Sequence, residues 1–207
     1  MQEREVWRVF IQLVYGLKAL HELNIMHRDL KSANVFLNKD GSVKIGDMNV
    51  SKVARNGMNY TQTGTPCYAS PEVWKDLPYT MKSDIWSLGC VFYEMLALQT
   101  PFMADNMDAL YQKVICGQYP KVQRFYSNDV TVMLKLLLNQ KPELRPSCDD
   151  IIKLPFVLSR IKILFPGLLI SGKPTTIQPQ LLDTIKPPKN QEKFPDKFFQ
   201  HLEEVLP

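Results

Sequence analysis

The chain has 207 residues, enough to bury one core of ordinary size. Hydrophobic residues make up 45% and charged residues 22%, as in globular proteins, and the net charge of +4 contains no long basic block, which argues against a nucleic-acid groove. Cys67, Cys90, Cys116 and Cys148 fit no zinc-binding or Cys-x-x-Cys spacing and no secreted disulfide framework, so a reduced intracellular protein is expected. Residues 1–5 are polar and unlike a signal peptide. The apolar stretch at 156–170 is broken by Arg160, Lys162 and Pro166, so no membrane span is expected.

Val6, Phe10, Leu13, Leu17 and Leu20 recur at steps of four and three, which predicts a helix over 4–23 with Asn24 as its stop. Short β-type runs at 35–37 and 43–45 flank Lys39-Asp40-Gly41-Ser42, a hairpin turn. Residues 47–72 hold polar and turn residues without periodicity and read as one long, functional loop. A helix over 82–98 is apolar nearly all round, so it belongs in a core, with Ser83 or Asp84 as its cap. Further helices are expected at 105–116 and 128–139, and a short one opened by Arg145-Pro146-Ser147. Eight of the 15 prolines lie from Pro155 onward. Residues 158–207 therefore read as a Pro-rich tail, partly disordered or docked, with an amphipathic stretch at 196–205.

One constellation carries chemistry. His27-Arg28-Asp29-Leu30-Lys31-Ser32-Ala33-Asn34 is followed by Asp47-Met48-Asn49, then Gly64-Thr65-Pro66, then Ser70-Pro71-Glu72. Phosphoryl transfer from ATP needs a carboxylate to orient the acceptor hydroxyl, ligands for Mg²⁺ and positive charge near the moving phosphate. Asp29 is the expected base, and Lys31 supplies the charge and a nucleotide contact. Asn34 and Asp47 offer the oxygen ligands that a hard cation takes. The hairpin between them folds these two ligands toward each other.

In order and spacing, these motifs resemble the catalytic loop, metal-binding triplet and activation-segment end of a eukaryotic protein kinase. The resemblance covers residues 1–157 and implies a mainly α, protein-kinase-like C-terminal lobe, a helical bundle with short β-hairpins at the catalytic loop. No Gly-rich loop and no strand lysine precede His27, so the N-terminal β-lobe is expected to be absent from this chain. The run 60–72, the segment 82–90 and Gly117-Gln118-Tyr119-Pro120 are similar to the NIMA-related (NEK) Ser/Thr kinases. That placement implies ATP and Mg²⁺ as cofactors and Ser/Thr-bearing protein substrates. It further implies a cytoplasmic location, with cytoskeletal, centrosomal or ciliary association.

The resemblance also assigns roles. Thr65 is expected to bond Asp29 and Lys31 and to help form the substrate platform. Thr61 is the expected phosphosite, its phosphate pairing with Arg28. Glu72 is expected to meet Arg145, and Asp84 to support the catalytic-loop backbone. Arg28, Glu72, Asp84 and Arg145 are thus structural. His27 reads as a packed core histidine and His21 as a helix-surface residue. Asp47-Met48-Asn49 departs from the usual Asp-Phe-Gly but keeps the metal ligand, and Asn tolerates positive φ. Without the β-lobe the isolated chain is expected to be very slow, and an apolar face near residues 1–40 is expected to be exposed. The alternative reading is a noncatalytic fragment or pseudokinase that serves as a protein-interaction module; a decoy that binds substrates without nucleotide is a third.

Overall fold

The computed structural model describes residues 1–47 and 66–168. Among them the protein is mainly helical, with one two-stranded antiparallel sheet. In chain order the elements are α1 (Glu3–Glu22), β1 (Val35–Leu37), β2 (Val43–Ile45), α2 (Pro71–Trp74), α3 (Met81–Ala97), α4 (Met107–Cys116), α5 (Asn128–Leu137), α6 (Cys148–Lys153) and α7 (Pro155–Leu164).

Helix α1 buries the face its periodicity marked. Val6, Phe10, Leu13 and Leu17 are fully enclosed and Leu20 is buried. Trp7 and Phe10 close on Phe92 of α3, with ring centroids 5.3 and 4.5 Å from it. Burying side chains of this size contributes about 1.5–3 kcal/mol each.

Helix α3 is the central pillar: from Ser83 to Tyr93 every residue is buried. Its cap is Thr80, whose side chain accepts from the Lys82 N–H, while the Ser83 hydroxyl accepts from the Thr80 N–H. The cap expected at Ser83 or Asp84 therefore sits one turn earlier, and Ser83 is its reciprocal partner. At Gly89 a Cβ would meet the Leu137 Cβ at 2.8 Å, so only glycine permits this approach of α3 to α5.

The hairpin pairs Val35 with Ile45 and Leu37 with Val43. Gln12 of α1 ties it down: its Nε2 donates to the Gly41 carbonyl and its Oε1 accepts from the Val43 N–H, both at 3.1 Å. Phe36 and Leu37 are more than half exposed, so the hairpin presents the apolar surface expected near residues 1–40.

Two elements differ from expectation. The single turn α2 opens at Pro71 inside the stretch read as a long loop. Helix α7 runs across the boundary drawn at residue 157, burying Val157 and Ile161. Its Arg160 lies 4.4 Å over the Trp7 ring and pairs with Asp129 at 2.8 Å and Glu3 at 3.2 Å. The charge that seemed to break an apolar run is what seats this helix. The amphipathic stretch at 196–205 lies outside the described residues.

Arg145 is buried among five acceptors. It makes a bidentate pair with Glu72 at 2.7 and 2.8 Å and donates to the carbonyls of Asn139, Lys82 and Gln140. Its guanidinium also lies 5.0 Å from the Trp86 ring centroid. Burial pushes the Glu72 carboxyl up, but Arg145 and Ser83 outweigh it and hold the carboxyl below its ordinary value. Arg145→Met is expected to lower stability by about 3–5 kcal/mol, because Glu72 is left buried and uncompensated. Glu72→Leu combined with Arg145→Met is expected to cost less than the sum of the two single changes; chemical denaturation of all three variants checks both statements.

Candidate active site

The site is a loop held by a helix. Asp84, fully buried on α3, accepts from the backbone N–H groups of His27 (2.9 Å) and Arg28 (3.0 Å). It also takes the Tyr79 hydroxyl at 2.6 Å and His21 Nε2 at 2.9 Å. Burial raises the Asp84 pKa, yet bonds from His21, Tyr79, Arg28 and His27 win and keep it below 3.8. Arg28 has φ 68°, a left-handed conformation costing a side-chain-bearing residue roughly 1–2 kcal/mol. The two bonds from Asp84 fix the backbone in that conformation.

His27 is fully buried and links the loop to the strand. Its Nε2 faces the Gly46 carbonyl at 3.1 Å, and its Nδ1 faces the Asp29 N–H at 3.4 Å. A carbonyl only accepts and an amide N–H only donates, so the ring is neutral with its proton on Nε2. Burial, which lowers the His27 pKa against the pull of Asp84, agrees with this.

From this frame the functional side chains follow. Lys31 Nζ donates to Asp29 Oδ2 at 2.9 Å. Asn34, buried in the 3-10 turn Ser32–Asn34, donates from Nδ2 to the Asp29 carbonyl at 2.8 Å and to Asp29 Oδ2 at 3.4 Å. Its Nδ2 is thereby committed, which leaves Oδ1 as the atom that could ligate a cation. The Gly46 N–H donates to the Asn34 carbonyl at 2.9 Å, so Asp47, the next residue, begins beside Asn34. Asp47 is exposed, with φ 54°. One amide oxygen and one carboxylate suit a hard divalent cation of the Mg²⁺ type. Thr61, Thr65, Met48 and Asn49 lie outside the described residues.

Two features escaped the sequence reading. His21 is no helix-surface residue: its side chain is 11% exposed and bridges Asp84 to the buried Cys148, whose Sγ is 3.9 Å from Nδ1. Burial pushes the Cys148 thiol up to about 12, so it stays protonated. The second is a cluster of Ser32, Tyr68 and Glu94, in which both hydroxyls donate to the carboxylate.

Residues 1–157 match the family described as Protein kinase domain. The chain is 42% identical over 171 residues to serine/threonine-protein kinase Nek1 of Mus musculus, covering 81% of this chain and 14% of that protein. It is 38% identical over 165 residues to mouse Nek4, covering 79% of this chain and 21% of Nek4. With mouse Nek11 the identity is 37% over 188 residues, or 88% of this chain and 30% of Nek11. The chain thus spans less than a third of the length of each of these relatives. Among the described residues no helix is long and apolar enough to cross a membrane.

The frame has a signature in acid. His27 is neutral when folded and its pKa is depressed, so unfolding takes up a proton below pH 6.5 and stability falls from there downward. Asp84 and Glu72 have depressed folded pKa values, so their contribution is complete above their ordinary values of 3.8 and 4.5 and is lost as pH falls through the depressed ones. Urea unfolding followed from pH 8 to 3 is expected to show two successive losses. His27→Gln is expected to flatten the first.

Proposed function

We propose that this chain, which belongs to the protein kinase family and within it to the NEK Ser/Thr kinases, carries the acceptor-side machinery for moving the γ-phosphoryl group of ATP to Ser and Thr hydroxyls of proteins. The observation that carries the proposal is the Asp29, Lys31 and Asn34 cluster, with Asp47 delivered to it by the bond from Gly46 to Asn34.

Asp29 orients the acceptor hydroxyl and takes its proton as the oxygen–phosphorus bond forms. Lys31 lies against the same carboxylate, so its ammonium is within reach of the equatorial oxygens that gain charge. Asn34 holds the Asp29 backbone in place with its Nδ2. Asn34 Oδ1 and the Asp47 carboxylate would hold Mg²⁺, which when bound would supply positive charge to neutralise the phosphates. The family resemblance implies a substrate-platform role for Thr65 and a phosphosite at Thr61. The substrates are proteins of the cytoplasm, with cytoskeletal, centrosomal or ciliary proteins as the class that a NEK-type enzyme implies.

Asp29→Asn is expected to lower kcat by about 10²–10⁴-fold, with the melting temperature nearly unchanged, because its side chain is partly exposed and its loop is held from elsewhere. Asp47→Ala is expected to abolish Mg-ATP binding, read by titration calorimetry with and without Mg²⁺. If Asp29→Asn retains full turnover on a Ser/Thr peptide, the assignment of the base is wrong.

A further inference from the structure

The end of α1 and the starts of α3 and α6 surround a partly open cavity of about 220 Å³. Its apolar wall is Met81, Ile85 and Cys148. Ile85 and Cys148 are buried, Met81 is half-buried, and the Cys148 thiol stays uncharged. Sites for drug-sized molecules run to roughly 300–1,000 Å³. An apolar cavity of roughly 150 Å³ already takes a benzene ring. The volume here therefore suits a benzene-sized body that carries one small polar group.

Most polar groups on the rim are already engaged. Glu22 and Asp149 both close on Lys18 Nζ, the latter at 2.8 Å, so each rim carboxylate has a cation. The Ser147 hydroxyl donates to Asp150 and accepts from its N–H. His21 commits Nε2 to Asp84, and its Nδ1 faces Cys148 Sγ. Lys82 is the exception. Its Nζ donates to the Arg145 carbonyl, a neutral acceptor. An ammonium has further N–H groups to give, and among the described residues those of Lys82 meet no carboxylate. Bonds from Ser147, and more weakly the charge of Lys82, lower the Asp150 carboxyl, yet Asp150 and Lys82 form no ion pair. A half-buried cation thus borders an apolar cavity with no anion against it.

We infer that this cavity binds a small carboxylic acid, whose apolar body packs on Met81, Ile85 and Cys148 and whose carboxylate accepts from Lys82. A cationic ligand finds both rim carboxylates already taken by Lys18. A neutral ligand leaves Lys82 without a counter-charge. The Arg145 carbonyl already holds the Lys82 ammonium, so little side-chain freedom remains to be lost on binding. The site shares no residue with Asp29, Lys31, Asn34 or Asp47, so it stands or falls apart from phosphotransfer.

The test uses the native protein with whatever sequence flanks residues 1–207, and phenylacetate as the probe. Phenylacetamide and phenethylamine are its neutral and cationic counterparts. Phenylacetate is expected to shift the methyl resonances of Met81 and Ile85 saturably, while those of Met133, buried on α5, stay in place. The amide is expected to bind about ten-fold or more weakly, because it lacks the charge that Lys82 meets. Lys82→Met is expected to weaken phenylacetate by the same factor and to leave the amide unchanged. Lys82→Arg, which keeps the charge, is expected to retain most of the affinity. Where Lys82→Met fails to fold, the methyl shifts and the acid-to-amide ratio of the parent protein decide. No saturable shift at Met81 and Ile85, equal affinity for acid and amide, tighter binding of the amine, or undiminished phenylacetate binding in Lys82→Met would overturn the proposal.

Discussion

A single buried carboxylate sets the active-site loop. Asp84 is fully buried and costs several kcal/mol to desolvate, a cost that only a full set of donors offsets. It has that set: two backbone N–H groups, the Tyr79 hydroxyl and the His21 ring. The backbone at His27 and Arg28 belongs to no helix or sheet, and Arg28 is in the left-handed region. Its inward N–H groups would be orphaned without Asp84. The helix thus gains a satisfied charge, and the loop gains a fixed conformation that its own residues do not favour.

A second set of buried charges does a different task beside the same pillar. Arg145 and Glu72 join α2 to α3 and to the loop 138–145, and nothing in that pair faces the site. The Trp86 ring lies between this pair and the aromatic core, stacked on Phe102 at 5.3 Å. Packing and electrostatics therefore share one helix. The apolar faces seat α3 in the core, and its few polar residues anchor the segments around it. A functional loop built this way needs little stability of its own.

Much of this was written locally in the chain. The step pattern of Val6, Phe10, Leu13 and Leu17 is a property of one helix, and an aspartate inside the apolar run 82–98 stands out in any reading. The Asp29, Lys31 and Asn34 cluster was legible because its members lie within six residues, as was the hairpin turn at Gly41. What escaped depends on distant partners. His21 looks like a surface residue until Asp84, 63 positions later, comes to rest against it. Arg160 looks like an interruption until Glu3 and Asp129 receive it. Glu94 sits near the end of a core helix, and no local pattern says that two hydroxyls will reach it. Helix α2 is a single turn, shorter than any periodicity can register.

The ties from Asp84 and Glu94 sit at the two ends of the stretch that bears Asp29 and Lys31. Asp84 and Glu94 are ten residues apart on α3, which at 1.5 Å per residue is about 15 Å along the axis. Between His27 and Ser32, the residues they hold, the chain bends at Arg28, with φ 68°, and is extended at Lys31, with φ −153° and ψ 165°. A segment fixed at both ends has fewer conformations left to lose, so the helix presents Asp29 and Lys31 with part of their freedom already removed before an acceptor arrives.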